Sequence, residues 1–394
     1  MWRRSVATGY MCFGCRSGGP KCDSSCCEEH WIVQVCRTQC ADLVMKAVVG
    51  ETFILILHQS VKSEGFPGFH AMPSCSVPAI PAGKITALQA MGIWRRHFEK
   101  RGVTETEHSC NYIIAHLLGA KTVESLERGK LTEFLSREKV EQVWKLCTRR
   151  LSRMPVQYVI EEWDFRDLTL KMKPPVFIPR PETEELVDLV LTDLQKKAGT
   201  GGDTQHTCLE VGCGSGAISL SLLKSLPQLK AIALDKCQAA VNLTMENALR
   251  LGLDDRLQIY HIDVMKDVET LLSLCRPISV LVSNPPYLFS EDMASLEPEV
   301  FRFEDHAALD GGKDGLQVIR QILTLSPQIL SNHGRVYLEV DPRHPLLIQP
   351  WVEAHVEGLH YMETRHDITG RPRFCILQKE KSLGDRELCL GLRN

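Results

Sequence analysis

Alternation of short apolar runs with amphipathic segments between residues 208 and 378 constrains the fold of this chain more than any other feature. Six runs have the length and composition of strands: Cys208–Val211, Ala231–Leu234, Gln258–Ile262, Ser279–Ser283, Arg335–Val340 and Phe374–Gln378. Helical periodicity marks three of the intervals: Ala217–Leu226, Gln238–Leu251 and Leu316–Leu330. This alternation predicts an α/β fold with a mainly parallel, doubly wound sheet. Ligands of such sheets bind beyond the carboxyl ends of the strands, so the residues that follow each strand are the functional candidates.

A small helical domain is predicted before the sheet, over residues 84–154. Apolar side chains recur there at three- and four-residue steps in three stretches, of which the first two stop at Gly102 and Gly119. Residues 155–176 are predicted to be a β-hairpin connector that includes Val156–Ile160. The α/β domain then covers residues 177–380, and residues 381–394 form a tail.

Residues 1–83 are interpreted as a poorly ordered leader and linker, because residues 59–83 are rich in proline and glycine. Four basic residues and no acidic residue precede Asp23. A basic, acid-free N-terminus without an apolar signal core is typical of a transit peptide. We therefore expect a mitochondrial location, with the cytoplasm as the alternative.

Composition argues against several classes of protein. Hydrophobic residues make up 44% of the chain and charged residues 24%, which is ordinary for a soluble protein. The formal net charge of −3 gives no electrostatic case for nucleic-acid binding. No apolar run reaches the ~18 residues that a membrane span needs. Cys12 and Cys15 have the spacing of half a zinc site, but no second half follows, so no metal is expected.

The first strand of the α/β domain leads into a glycine-rich loop and then directly into a helix. Glycines at this place allow a tight turn and let backbone N–H groups approach a ligand closely. Gly212, Gly214 and Ala217 also match the loose dinucleotide fingerprint, and a merely tight turn is a further alternative. The candidate cofactor-binding residues of the loop are Glu210, Gly212, Cys213, Gly214, Ser215 and Gly216.

Carboxylates end the second and third strands. Asp235 lies nineteen residues after Gly216, where it can accept from both hydroxyls of a bound ribose; the alternative role is to cap the helix that begins near Gln238. Asp263, followed by Val264, is placed by the same geometry on the adenine side. These residues are compatible with either NAD or S-adenosylmethionine.

The fourth strand ends in Asn284-Pro-Pro-Tyr287, which distinguishes between the two cofactors. The side-chain oxygen of Asn284 and the backbone oxygen of Pro285 can accept both hydrogens of a planar –NH2 group and orient it toward an electrophilic methyl. Pro285 and Pro286 have no N–H and fix their own φ angles, while Tyr287 can pack against the amide or base. Hydride transfer to or from a nicotinamide has no use for two such acceptors, so the loop favours S-adenosylmethionine.

These two motifs resemble those of the class I (Rossmann-like) S-adenosylmethionine-dependent methyltransferases that act on planar nitrogens. Residues 88–378 resemble more closely the HemK/PrmC family of protein-(glutamine-N5) methyltransferases, and the acid-free leader resembles that of its mitochondrial vertebrate members. The stretches that carry this resemblance are Pro155-Val-Gln-Tyr158, Phe177-Ile-Pro-Arg-Pro-Glu-Thr-Glu-Glu-Leu186 and Ala308-Leu-Asp-Gly-Gly-Lys-Asp-Gly315. Two positions depart from the family pattern: Glu161 replaces a usual glycine, and Glu304-Asp-His306 stands where Glu-Pro is usual.

The resemblance implies N5-methylation of the glutamine in the Gly-Gly-Gln motif of a class I peptide-chain release factor, which would be the partner of a monomeric enzyme. It implies catalytic roles for Asn284, Pro285 and Tyr287, substrate contacts from the whole 284–287 loop and Arg180, and a cofactor contact from Asn284. The alternative is an N6-adenine methyltransferase acting on DNA or RNA, which shares the Asn-Pro-Pro-Tyr motif but needs a basic surface and must extract a base. A catalytically inactive scaffold is a third hypothesis, against which the intact loops argue.

Overall fold

The computed structural model describes residues 32–36, 44–49, 52–56, 77–198, 206–274 and 277–381. The chain divides into two compact units, residues 1–75 and residues 76–394. In the first unit, strands β1 (Ile32–Cys36), β2 (Val44–Val49) and β3 (Thr52–Ile56) form an antiparallel sheet in that order. The first thirty-one residues, on which the transit-peptide hypothesis rests, and residues 382–394 lie outside the described part.

The three apolar stripes of the helical domain form helices α1 (Ala87–Lys100), α2 (Thr106–Leu117) and α3 (Arg137–Leu151). Thr86 begins α1 with a capping box, in which its hydroxyl accepts from the N–H of Gln89 and the Gln89 side chain accepts from the N–H of Thr86. Trp94 and Trp144 meet edge to face in the core, with ring centroids 5.5 Å apart. The predicted helical domain is therefore present.

The predicted connector is only partly a hairpin. Strands β4 (Glu162–Phe165) and β5 (Leu168–Lys171) pair as expected, but Val156–Ile160 is a short helix, α4, so its prediction as an extended segment is wrong. Five residues are too few for periodicity to separate a helical turn from a strand. Tertiary contacts decide the outcome, because the buried Tyr158 donates its hydroxyl to the carbonyl of Val176 at 2.5 Å.

The α/β domain contains seven helices and seven strands among its described residues. The helices are α5 (Pro181–Ala198), α6 (Ala217–Ser225), α7 (Gln238–Leu251), α8 (Val268–Leu274), α9 (Pro298–Phe303), α10 (Gln317–Ile329) and α11 (Pro345–His355). The strands are β6 (Thr207–Val211), β7 (Lys230–Asp235), β8 (Leu257–His261), β9 (Ile278–Ser283), β10 (Leu330–Glu339), β11 (Leu359–His366) and β12 (Pro372–Lys379).

These strands form one sheet in the order β11-β12-β10-β9-β6-β7-β8. Strands β8, β7, β6, β9 and β10 are parallel, whereas β12 is antiparallel to β10 and β11 is antiparallel to β12. The prediction of a mainly parallel sheet is confirmed, but the sequence did not reveal β11. Because β6 lies between β7 and β9, the strand order reverses there, and this switch point is where such sheets place their ligands.

Both faces of the sheet are buried. Cys208 and Val280 face the cluster that includes Leu186 of α5, whereas their neighbours Leu209 and Leu281 face the cluster that includes Ile322 of α10. This alternation follows from the opposite orientation of successive strand side chains. It confirms the doubly wound architecture. Among the described residues, no helix is both long enough and apolar enough to cross a membrane.

Candidate active site

A cavity of about 270 Å³ opens beyond the carboxyl ends of β6, β7, β8 and β9. It brings together every predicted site residue except Gly216. The predicted residues on its lining are Arg180, Glu210, Gly212, Cys213, Gly214, Ser215, Asp235, Asp263, Val264, Asn284, Pro285, Pro286 and Tyr287. Residues from four strand ends and from the segment before α5 therefore converge on one space.

The glycine-rich loop is fixed by backbone hydrogen bonds to the neighbouring strand. The N–H groups of Gly212 and Cys213 both donate to the carbonyl of Leu234, at 2.8 and 3.0 Å. Gly216 lies beneath the loop at the start of α6, and a β-carbon there would lie 2.9 Å from Leu220 and 3.0 Å from the Thr244 methyl carbon. Gly216 thus lets α6 pack closely, whereas the earlier glycines border the cavity.

Asp235 links the glycine-rich loop to the residue that precedes α7. Its Oδ1 accepts from the N–H of Cys237 at 2.8 Å, at the start of α7, and its Oδ2 accepts from the N–H of Gly214 at 2.9 Å. Burial raises the pKa of this carboxyl, and the two N–H donors partly oppose that rise. Each oxygen keeps a second lone pair, so Asp235 can both hold the loop and accept from a ligand.

Glu210 lies fully buried below the loop. Its carboxylate accepts from the backbone N–H of Ser219 at 3.0 Å and also from the Ser219 hydroxyl. Burial raises the pKa of Glu210 to about 8, an effect that the Ser219 bonds reduce. A cation in the adjoining cavity would favour the ionised form, so the site is suited to a ligand with an ammonium group.

Asp263 and Val264 form the turn after β8, as expected. Asp263 Oδ1 accepts from the N–H of Met265 at 3.0 Å, and its carboxylate lies 3.5 Å from Lys266. Val264 and Ile262 are buried and give this end of the cavity an apolar wall. The arrangement can hold a flat ring between apolar side chains.

The Asn284 side chain has a fixed orientation. Its Nδ2 donates to the hydroxyl of Thr183 at 3.0 Å, and that hydroxyl donates to Glu339 Oε2 at 2.8 Å. The hydroxyl of Tyr287 donates to the other oxygen, Glu339 Oε1, at 3.2 Å. The Asn284 amide oxygen is consequently turned away from Thr183, on the side that is free to accept from a ligand.

Thr183 and Glu339 were not among the residues predicted from the sequence. Both side chains are buried, with relative exposures of 2% and 1%. A signal was available for Glu339, because it is the last residue of β10 and the candidates were sought at strand ends. Thr183 does not follow a strand, since it lies in the first turn of α5, although the stretch Phe177–Leu186 that contains it carries the family resemblance.

Arg180 borders the cavity but is already paired. Its guanidinium donates to Glu304 Oε1 at 2.6 Å and lies over the ring of Phe177, 4.8 Å from the centroid. Glu304 Oε2 also accepts from the N–H of Ile178 at 3.2 Å. Arg180 therefore ties the start of α5 to the segment after α9, and its expected contact with substrate stays a prediction.

The helical domain touches the wall of the cavity through a buried ion pair. Arg150 donates to Glu299 Oε1 at 3.0 Å and Arg153 donates to Glu299 Oε2 at 2.7 Å. Glu299 belongs to α9, and the next residue, Val300, lines the cavity. The helical domain therefore packs against an element that forms part of the cavity wall.

The chain is similar in sequence to known proteins over most of its length. The protein named MTRF1L release factor glutamine methyltransferase, from Homo sapiens, is 48% identical over 300 residues, which are 76% of this chain and 89% of the human protein. The chain belongs to the release factor glutamine methyltransferase family. Release factor glutamine methyltransferases from Deinococcus radiodurans and Thermodesulfovibrio yellowstonii are 33% and 31% identical, over 70% and 69% of this chain and 92% of each relative.

Two domain families match separate parts of the chain. Residues 89–160 match the PrmC N-terminal domain, and residues 168–308 match the Methyltransferase small domain. The first range contains all but the first two residues of α1 and the whole of α2, α3 and α4, and the second contains the glycine-rich loop and Asn284-Pro-Pro-Tyr287.

The two positions that depart from the family pattern, Glu161 and Glu304-Asp-His306, both contain a glutamate that pairs with an arginine. Glu161 has φ +62°, the left-handed region that glycine enters without strain, and its carboxylate accepts from Arg149 at 3.1 Å. The left-handed backbone conformation is more strained for glutamate than for glycine, and Glu161 adopts it while paired with Arg149. Glu304 is the buried partner of Arg180, so the changed Glu-Asp-His stretch keeps a structural carboxylate at its first position.

Proposed function

We propose that this protein transfers a methyl group from S-adenosylmethionine to the side-chain nitrogen of the glutamine in the Gly-Gly-Gln motif of a class I peptide-chain release factor. The observation that carries the proposal is the fixed Asn284 amide, whose oxygen is available to the cavity because its nitrogen donates to Thr183. Membership of the release factor glutamine methyltransferase family supports the same substrate.

The residues of the cavity fit S-adenosylmethionine. Glu210 has a buried carboxylate suited to the ammonium of the methionine part, and Asp235 has free lone pairs for the ribose hydroxyls. Ile262 and Val264 supply the apolar wall that an adenine ring needs. The cofactor, when bound, supplies an electrophilic methyl group on a sulfonium.

The 284–287 loop binds and orients the substrate amide. The Asn284 side-chain oxygen and the Pro285 backbone oxygen accept the two hydrogens of the glutamine –NH2 group, which aligns its nitrogen with the methyl. Both acceptors also increase the electron density on that nitrogen as positive charge develops. No general base is required, because the methylated amide loses its extra proton readily to water. Positioning in a dry site accounts for the rate.

Mass spectrometry of a recombinant release factor tests this function directly. After incubation with the protein and S-adenosylmethionine, we expect one added methyl group, located on the glutamine of the Gly-Gly-Gln peptide. A release factor with that glutamine replaced by asparagine is the control, because its shorter side chain cannot reach the same place. DNA and RNA oligonucleotides form a second arm, since methylated adenine there together with an unmodified release factor would establish the alternative function.

A mitochondrial location is proposed from the basic, acid-free N-terminus. Fusing residues 1–83 to a fluorescent reporter should direct it to mitochondria. A diffuse cytoplasmic signal from the fusion would contradict the proposal.

Removal of residues 1–75 is expected to leave turnover within about twofold of the full chain, because none of the proposed site residues precedes Ser76. The cut should precede Pro78 rather than Lys84, since Trp144 Nε1 donates to the Pro78 carbonyl at 2.6 Å and Arg137 donates to the Pro81 carbonyl at 3.2 Å. Steady-state methylation of a release factor checks this. Loss of turnover in a shortened chain with unchanged circular dichroism would assign the first unit a direct role.

Replacing Asp235 by alanine is expected to weaken S-adenosylmethionine binding by about 1.5 kcal/mol, roughly tenfold. This is the lower end of the range for a charged acceptor, because the carboxylate already accepts from Gly214 and Cys237. Isothermal titration calorimetry measures the change. Asp367→Ala is the matched control, since Asp367 also accepts from backbone N–H groups of its loop but does not line the cavity. Equal cofactor affinity in both variants would leave Asp235 only a structural role between the glycine-rich loop and the start of α7.

A further inference from the structure

Four side chains from three separate segments form a continuous hydrogen-bonded chain at the wall of the cavity. Asn284 donates to Thr183 at 3.0 Å, Thr183 donates to Glu339 at 2.8 Å, and Tyr287 donates to the second oxygen of Glu339 at 3.2 Å. One buried carboxylate at the end of β10 thus contacts both ends of the 284–287 loop, directly or through Thr183.

We propose that Thr183 and Glu339 are positioning residues, which hold the Asn284 amide so that its oxygen, and not its nitrogen, faces the substrate nitrogen. The proposal rests on the proposed function for the identity of the substrate. Neither residue touches the reacting atoms: Thr183 acts through Asn284, and Glu339 acts through Thr183.

The orientation of the Asn284 amide follows from the number of protons that Thr183 can donate. A threonine hydroxyl has one proton, and here the Glu339 carboxylate accepts it. The Thr183 oxygen can then only accept from Asn284, which requires the –NH2 group of Asn284 on that side. Without this constraint the amide could rotate and present its –NH2 group to the substrate. Two –NH2 groups facing each other are both donors, so the aligning hydrogen bond would be lost.

The direction of these hydrogen bonds depends on whether Glu339 is ionised. A carboxylate accepts from both Thr183 and Tyr287, whereas a protonated carboxyl can donate to the Thr183 oxygen and redirect the hydroxyl proton toward Asn284. The titratable and charged groups around Glu339 are Tyr287 after β9, Arg373 of β12 and Glu182 of α5. Burial raises the pKa of Glu339 to about 7, although Thr183, Arg373 and Tyr287 oppose the rise. The orienting form therefore prevails above about pH 7 and is lost as the pH falls through that value.

Substitution of Thr183 tests the proposal. Thr183→Val keeps the shape and removes the hydroxyl, and we expect the single-turnover methylation rate to fall about tenfold while the Kd for S-adenosylmethionine stays within about threefold. Thr183→Ser retains the hydroxyl and should restore the rate to within about threefold of the wild type. Thr148→Val is the control, because the Thr148 hydroxyl bonds to the Trp144 carbonyl within α3 and Thr148 does not line the cavity. A Thr183→Val rate equal to that of the control would overturn the proposal.

The pH profile separates orientation from a general loss of packing. The wild type and Thr183→Ser should both lose rate as the pH falls through about 7, and Thr183→Val should lack this acidic limb because the connection from Glu339 to Asn284 is broken. An acidic limb that persists unchanged in Thr183→Val would contradict the proposed connection.

A spectroscopic readout is independent of activity. In protein labelled with ¹⁵N-asparagine, the side-chain –NH2 signals of Asn284 are identified by their loss in Asn284→Ala. They should titrate near pH 7 in the wild type and should shift and cease to titrate in Thr183→Val. These signals require no release factor, so an inactive wild type would overturn the proposed function alone. Asn284 signals that are insensitive to both pH and Thr183→Val would overturn the positioning role alone.

Discussion

Replacement of Asn284 by alanine is expected to slow the methyl-transfer step by about a hundredfold or more, the usual effect of removing one preorganised electrostatic contact from a transition state. The loss should fall on the chemical step, because the Asn284 oxygen acts on the substrate nitrogen. The affinity for S-adenosylmethionine should stay within about threefold, which is less than 1 kcal/mol. Rapid-quench methylation of a Gly-Gly-Gln-containing release factor domain measures the rate, and calorimetry measures the affinity.

Asn284→Asp sharpens this test because it keeps one acceptor but removes the donor. An aspartate oxygen would face the Thr183 oxygen, whose only proton is donated to Glu339, so two acceptors would meet. A second, partly buried carboxylate close to Glu339 would also favour a proton or a cation as partner. We expect a loss of about a hundredfold here as well. A near-normal rate for either variant would reduce the 284–287 loop to a stiff turn.

Replacement of Gly315 by alanine is expected to cause a loss of similar size, although Gly315 does not line the cavity. A β-carbon at this position would lie 2.4 Å from the backbone oxygen of Tyr287 and 2.6 Å from Nε2 of His344. His344 is fully buried and stacks on Phe289 with centroids 5.2 Å apart, so it cannot easily move. The backbone of Tyr287 must then shift, and a displacement of about 1 Å at a reacting centre can cost about a hundredfold in rate.

Gly358→Ala provides the control for Gly315→Ala. Both glycines have positive φ angles, +68° for Gly315 and +77° for Gly358, but a β-carbon on Gly358 would meet no atom within 4 Å. Both variants incur the strain of a left-handed alanine, about 1–2 kcal/mol of unfolding free energy. Only Gly315→Ala should also methylate its substrate more slowly. Thermal unfolding measures the loss of stability, and single-turnover kinetics measures the loss of methylation rate. Equal rates for the two variants would show that the 284–287 loop does not need the close approach of Gly315.

Local sequence was sufficient for the architecture and for most of the candidate site. The apolar runs and helical periods predicted the parallel sheet, because burial on both faces requires continuous apolar strands and amphipathic helices. The strand-end rule then selected Asp235, Asp263 and Asn284, since the carboxyl ends of parallel strands meet at one edge of the sheet. The structure places all three on one cavity.

Short or exposed elements could not be predicted from local sequence patterns. Val156–Ile160 spans too few residues to show a period, and contacts of Tyr158 with the segment near Val176 make it helical. Strand β11 is an edge strand with mostly partly or fully exposed side chains, so it lacks the apolar run by which the other strands were predicted.

The orientation of the candidate catalytic amide was decided by the tertiary structure alone. Thr183 and Glu339 are 156 residues apart and meet because β10 pairs with β9 while α5 packs against β10. Gly315 reaches the backbone of Tyr287 because the chain returns alongside the 284–287 loop at Leu288 and Asp310. A sequence specifies which groups can donate and accept, but the pairing of strands distant in the chain determines which of them face each other.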